Sequence, residues 1–167
     1  LRLVPVDEFA KKLINQGMIL GTSAFVCRII PEIIQGDSSI YNLEEIKEYS
    51  TKLILENIVF ISKSKIDLFK DLNEFNEITT KIEGSFLDKF PDSIVHVNFN
   101  ISEIHVDVNI IDSSDELDIE AFLDHPLNYD FKKASFIRED DGTFKVKREV
   151  EKMSKSKYNV VNPDAIC

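Results

Sequence analysis

The chain of 167 residues contains no tryptophan, two cysteines, two methionines and three histidines. Cys27 and Cys167 are far apart in sequence, and one is terminal, so a disulfide framework is excluded; no Cys/His cluster has zinc spacing. Both read as ordinary thiols, one in the core and one at the end. Five glycines and five prolines fall singly, as punctuation between elements, and no internal repeat or low-complexity tract is present. No apolar run approaches the ~18 residues that span a bilayer, and no signal-peptide pattern is read at the start, so a cytoplasmic protein with no membrane partner is expected. Positive charge is in deficit: 20 Lys and Arg stand against 30 Asp and Glu, a net charge of −10. That balance argues against nonspecific nucleic-acid binding by the surface as a whole.

What is present is a hydrophobic share of 43%, enough for a packed core, in a length that fits one domain or one domain plus part of another. The scarce cations are also concentrated. Lys145, Lys147, Arg148, Lys152, Lys155 and Lys157 crowd together near the carboxyl end, tempered by Glu149 and Glu151. Within this cluster runs Lys152-Met153-Ser154-Lys155-Ser156. Two lysines three apart, joined by small hydroxyl residues, make a cationic loop suited to closing over a polyphosphate. Ammonium groups are compact point charges for phosphate oxygens, and serine hydroxyls add hydrogen bonds. Such a loop acts by stabilising charge that develops as pyrophosphate leaves. A given five-residue string arises by chance in a chain this long only ~1 time in 20,000. The bland alternative is a solvated Lys/Ser loop.

The flanks decide between them. The signature is that of class I aminoacyl-tRNA synthetases. The longer string from Val150 to Asp164 resembles the leucyl branch, in which an Asn-Val-Val-Asn-Pro-Asp-like turn follows the loop. Pro5 to Ile19, with Gln16-Gly17-Met18, is similar to a second segment of that family. Glu103 to Ile111, continued by Leu117 to Phe122, resembles leucyl-tRNA synthetases of the Bacteroides type. The resemblance covers residues 1–28 and 101–167. The family's other signature, His-Ile-Gly-His, is not matched by His96, His105 or His125, and neither the editing domain nor the anticodon-binding helices are matched. The resemblance therefore implies a piece of a larger leucine–tRNA ligase, itself inactive and expected to be monomeric. The intact enzyme would use ATP, Mg²⁺, L-leucine and tRNA(Leu). It further implies that Lys155 and Lys152 carry the catalytic contact with the phosphates, and that Lys152, Met153, Ser154, Lys155 and Ser156 form the ATP-binding loop, with Met153 packing beneath; no metal ligand is implied.

Periodicity supplies the elements. Glu8 to Gln16 has helical spacing, capped by Asp7 and stopped at Gly17. Residues 18–30 are rich in β-formers, with Pro31 as a break. Residues 43–57 predict a helix with Leu43, Ile46, Tyr49 or Ser50, and Leu53-Ile54 inward; 58–62 predict a buried strand. A second helix is predicted over 65–83 on the stripe Ile66, Phe69, Phe75, Ile78 and Ile82, which reads as core rather than a cofactor site. Strands are predicted over 94–99 and 104–110. The second places His105, Asp107 and Asn109 in one polar row, read as a solvated sheet face in preference to a metal or RNA site. A short helix follows over 115–122. Residues 134–138 and 143–150 flank Glu139-Asp140-Asp141-Gly142, a hairpin signal. The expected fold class is α+β: an insertion domain of mixed strands and helices within part of a Rossmann-type catalytic domain. Residues 1–29 are expected to be a catalytic-domain segment, 30–131 the insertion, and 132–167 the hairpin with the signature loop. Two other readings stand beside this one, a noncatalytic RNA- or protein-docking module and another class I synthetase, valyl or isoleucyl.

Overall fold

A single long strand organises the computed structural model, which describes residues 20–35, 41–69 and 73–160. This strand, β1 (Leu20–Gln35), has partners on both edges. The helix expected over 8–16 and the turn after Asn162 lie outside the described residues. Along one edge of β1, β3 (Val95–Val106) pairs antiparallel from Ala24↔Val106 to Gln35↔Val95. The other edge is shared end to end. β5 (Lys147–Lys152) takes Leu20 to Phe25, and β2 (Val59–Ile61) takes Cys27 to Ile29. β4 (Ser135–Ile137) adds to β2 in parallel. The result is a mixed five-stranded sheet in a mixed α and β fold.

Both faces of the sheet are covered, as the near-continuous apolar run in β1 requires. Ala24 and Val26 face one side, where Phe60 and Val106 meet Leu117, Phe144, Val146 and Phe122 of α3 (Ile119–Asp124). Phe60 is fully buried, with the rings of Phe122, Phe131 and Phe136 at centroid distances of 5.4, 5.2 and 5.2 Å. Each such side chain contributes on the order of 1.5–3 kcal/mol relative to exposure. Cys27 and Ile29 face the other side with Val59, Ile61 and Phe69. There α1 (Leu43–Glu56) and α2 (Asn73–Lys89) pack Ile46, Leu53, Ile82 and Phe86 against Val95 and Val97. Asn42 starts α1 by accepting the Glu44 amide at 2.9 Å, with Glu44 and Glu45 stabilised at the positive end of the helix dipole.

Several sequence expectations are corrected. β1 passes through Pro31, which pairs only with Phe99 of β3. It lies past the last β2 partner of β1, Ile29↔Val59, so its missing N–H removes no bond to a second strand. The predicted 94–99 and 104–110 strands are one strand that stops at Val106. The second predicted helix begins at Asn73 and runs to Lys89, after a 3₁₀ turn at Lys63–Lys65. Leu43 is exposed rather than packed. The short helix expected over 115–122 begins only at Ile119, capped by Asp118, whose carboxylate accepts from the Ala121 amide.

The Glu139–Gly142 turn forms, with the Gly142 amide donating to the Glu139 carbonyl at 3.0 Å and Gly142 at φ 85°. Its arms do not form the expected hairpin ladder beyond Glu139–Thr143. The first arm joins β2, whereas the Lys145 amide donates to Ser62 Oγ at 2.8 Å and the Phe144 carbonyl accepts from Leu117. Competing partners from outside the hairpin take the bonds that a local pairing needs.

Candidate active site

The signature starts at the last residue of β5, Lys152, and leaves the sheet at Met153. Ser154 is still extended, Lys155–Lys157 form one 3₁₀ turn, and Tyr158 closes it in the left-handed region at φ 52°. That conformation is uncommon for a bulky residue and persists only where surroundings impose it. Here the Tyr158 carbonyl accepts from the Val108 amide at 3.4 Å, and its ring meets His125 edge-on. The reversal returns Asn159 over the start of β1.

Asn159 is the anchor. It is 1% exposed, and both ends of its amide are used. Oδ1 accepts from the Ser154 amide at 2.8 Å, and Nδ2 donates to Ser23 Oγ at 2.9 Å and to the Lys152 carbonyl at 3.3 Å. The return path explains Gly21. A Cβ at that position would stand 2.6 Å from the Asn159 carbonyl oxygen, so only glycine lets the two backbones approach this closely. The Met153 methyl lies 3.4 Å from the same point.

Charge is distributed unevenly over this platform. Glu151, one residue before the signature, accepts from Lys157 Nζ and, at 3.0 Å, hydrogen-bonds His105 Nε2. Donation by Lys157, then by the Ser23 hydroxyl and by His105, holds its carboxyl at about 2, well below the usual carboxylate range. Lys147 lies between Glu103 at 2.8 Å and Glu149 at 2.7 Å, and both carboxylates raise its ammonium above the ordinary lysine range. Lys152 and Lys155 differ: they are exposed and, among the described residues, pair with no carboxylate. Ser154 Oγ and Ser156 Oγ lie 2.9 Å apart. The residues singled out in sequence thus run from the last residue of β5 into the turn, with two ammonium groups that pair with no carboxylate among the described residues and an exposed Ser156 hydroxyl.

The polar row His105, Asp107, Asn109 does not exist. His105 lies on the sheet with its ring 4.4 Å from that of Phe25, whereas Asp107 caps a 3₁₀ turn by accepting from the Asn109 amide and side chain at 2.9 and 2.7 Å. Among the described residues no three His, Cys, Asp or Glu side chains group as a metal cage. No described helix is long and apolar enough to cross a membrane. The sequence pattern reads Gly21 as a bulge or turn, whereas it lies within β1, and it does not single out Ser23, Glu151 or Asn159 as site residues. The available signal was a Gly and a Ser opening a β-rich run, and an Asn just after a cationic turn.

Curated proteins similar to the chain are named leucine–tRNA ligases. A leucine–tRNA ligase of Christiangramia forsetii is 41% identical over 97% of the chain, and one of Flavobacterium psychrophilum 40% identical over 98%. One of Parabacteroides distasonis is 34% identical over 99% of the chain. The chain spans about 11% of the length of each of these relatives, so nearly all of it matches a segment of a far larger enzyme. No family model matches the chain, and no solved structure matches it.

Proposed function

We propose that the chain is a segment of a leucine–tRNA ligase and that its Lys152–Ser156 loop stabilises the ATP phosphates while leucyl-adenylate forms. The observation that carries this reading is the pair Lys152 and Lys155, exposed and without a carboxylate partner among the described residues, on a turn whose base is fixed by buried Asn159. In this reading the parent enzyme joins L-leucine to tRNA(Leu) with release of AMP and pyrophosphate, and residues 30–131 are an insertion into a Rossmann-type catalytic domain.

Each residue of the turn has a separate task. Lys155 meets the departing phosphates in the transition state. Lys152, at the strand end, sets the near side of the clamp, and the Ser154 and Ser156 hydroxyls offer hydrogen bonds to phosphate oxygens. The donor set suits a polyphosphate. It does not suit Mg²⁺: Glu151, the carboxylate next to the loop, is committed to Lys157 and His105, and we place no metal ligand on this chain. The proposal includes a monomeric, cytoplasmic parent.

An interaction made only in the transition state lowers the rate without weakening ATP binding. In the whole ligase, Lys155→Ala is therefore expected to depress leucine-dependent ATP–pyrophosphate exchange by about 10²-fold or more. A rate within about threefold of wild type would overturn the assignment. The 167-residue chain alone is expected to show no exchange, since the resemblance places the remainder of the ATP site elsewhere in the ligase.

A further inference from the structure

The three lysines of the turn are not equivalent, and the difference is built by a residue outside the signature. Glu151 occupies β5 opposite Gly21 of β1. Its side chain lies on the sheet face that carries Phe25 and His105, where it is 22% exposed. From there it reaches forward over the turn to Lys157 Nζ. The same carboxylate takes His105 from β3, and nearby on β1 the Ser23 hydroxyl accepts from Asn159. The ion pair thus lies beside the hydrogen bonds that fix the base of the loop, from the Ser154 amide to Asn159 and from Asn159 to Ser23, with Lys157 donating back to Glu151.

We propose that Glu151 is a positioning residue, an internal counter-ion that withdraws Lys157 from the phosphate-facing set so that Lys152 and Lys155 alone meet the polyphosphate. The inference rests on the phosphate-clamp reading of the loop and adds to it which cations are admitted. Its physical logic is that of differential binding. A third ammonium free over the turn binds the ground-state polyphosphate electrostatically whatever its position on the reaction path, and uniform binding of this kind lowers KM without raising kcat. Neutralising Lys157 in place leaves the clamp to the two lysines whose spacing suits the signature. The partners of Glu151 are local in space and remote in sequence, His105 being 46 positions away, so the arrangement depends on the β1–β3–β5 register and not on the loop alone.

Two measurements test this. First, the folded chain is treated with an acetylating reagent and the modified lysines are quantified by peptide mass spectrometry. Lys157 is expected to react about threefold more slowly than Lys152 and Lys155, the scale of protection that a part-exposed ion pair supplies, and equal rates for the three lysines overturn the proposal without reference to catalysis. Second, in the whole ligase Glu151→Gln is expected to lower KM for ATP by about twofold to fivefold with no gain in kcat, and Glu151→Gln with Lys157→Gln to return KM to within about twofold of wild type. An unchanged KM in the single variant, or a shift that persists in the double variant, overturns it. If Lys155→Ala leaves exchange intact while Lys157 is still protected, the clamp reading fails and the counter-ion assignment stands as a feature of the fold. Should Glu151→Gln not fold, the acetylation pattern of the wild-type chain remains decisive.

Discussion

The cations of β5 and those of the turn beyond it belong to one cluster in sequence but to two electrostatic settings in space. Lys145 donates to the Ser114 carbonyl, Lys147 is held between Glu103 and Glu149, and Arg148 bonds the Asp112 carbonyl and pairs with Asp115. Their partners come from 112–116, from Glu103 of β3 and from Glu149 of β5 itself. At the end of β5 and on the turn, among the described residues, only Glu151 supplies a carboxylate to these cations. Lys157 is tied only because Glu151 reaches forward to it, and Lys152 and Lys155 are left exposed. Lys147 and Arg148, inside β5, are neutralised by nearby carboxylates, whereas Lys152 at its last position and Lys155 on the turn pair with none among the described residues. The net charge of −10 is therefore compatible with a local phosphate clamp, because distribution and not the sum decides where an anion is held.

The comparison can be broken most severely at the turn. Lys155→Ala in the whole ligase carries the largest expected effect, about 10²-fold or more in pyrophosphate exchange; Lys147→Ala, in the same cluster but paired, is expected to leave exchange within about threefold. Next comes the anchor. Asn159→Ala leaves the Ser154 amide and the Ser23 hydroxyl without their buried partner, which typically costs about 1–3 kcal/mol. Denaturant unfolding of the chain is expected to show a loss of this size, and a change under about 0.5 kcal/mol would mean that the loop is not held as described. Gly21→Ala forces a Cβ against the Asn159 carbonyl at 2.6 Å. It is expected to disturb amide NMR resonances from Met153 to Asn159 while sparing those of α1 and α2.

The smallest expected effect concerns pH. Glu151 titrates near 2 in the folded chain against an ordinary value of 4.5. A carboxyl with a depressed folded value adds stability that is complete above pH 4.5 and is lost as pH falls from there toward 2. Wild-type chain is therefore expected to lose stability over that window more steeply than Glu151→Gln. Identical acid-unfolding profiles would show that the carboxylate is not paired in solution.

Much of the fold was legible because its elements carry local signals. Asn42 and the Ile46, Leu53 spacing mark α1, and the Val59–Ile61 run marks β2. The turn at Glu139–Gly142 follows from Asp-Gly chemistry. The errors share one cause. Where two partners compete for the same backbone groups, local pattern does not choose between them. Residues 143–150 read as the second arm of a hairpin, yet beyond Thr143 the bonds of Phe144, Lys145 and Val146 go to Leu117, Ser62, Lys63 and Asp115. The alternation from Ile104 to Ile110 continued the strand on paper, yet Asp107 turned its carboxylate onto the Asn109 amide and ended it. Pro31 looked like a terminator, and was tolerated because it pairs with one strand only.

The sequence by itself determined the chemistry of the turn. Lys152, Met153, Ser154, Lys155 and Ser156 are contiguous, and ammonium and hydroxyl groups at that spacing suit phosphate in any fold that exposes them. It also determined the alternation of helix and strand signals and the resemblance to one ligase family. Only the tertiary structure decided which of the lysines stay uncommitted. That choice depends on Glu151 of β5 meeting His105 of β3 and Lys157 of the turn, and on Asn159 reaching Ser23 over a separation of 136 residues. Ion pairing falls off steeply with distance and is set by whichever groups the sheet register brings within a few ångströms. Spacing along the chain carries no information about that register until the strands have paired.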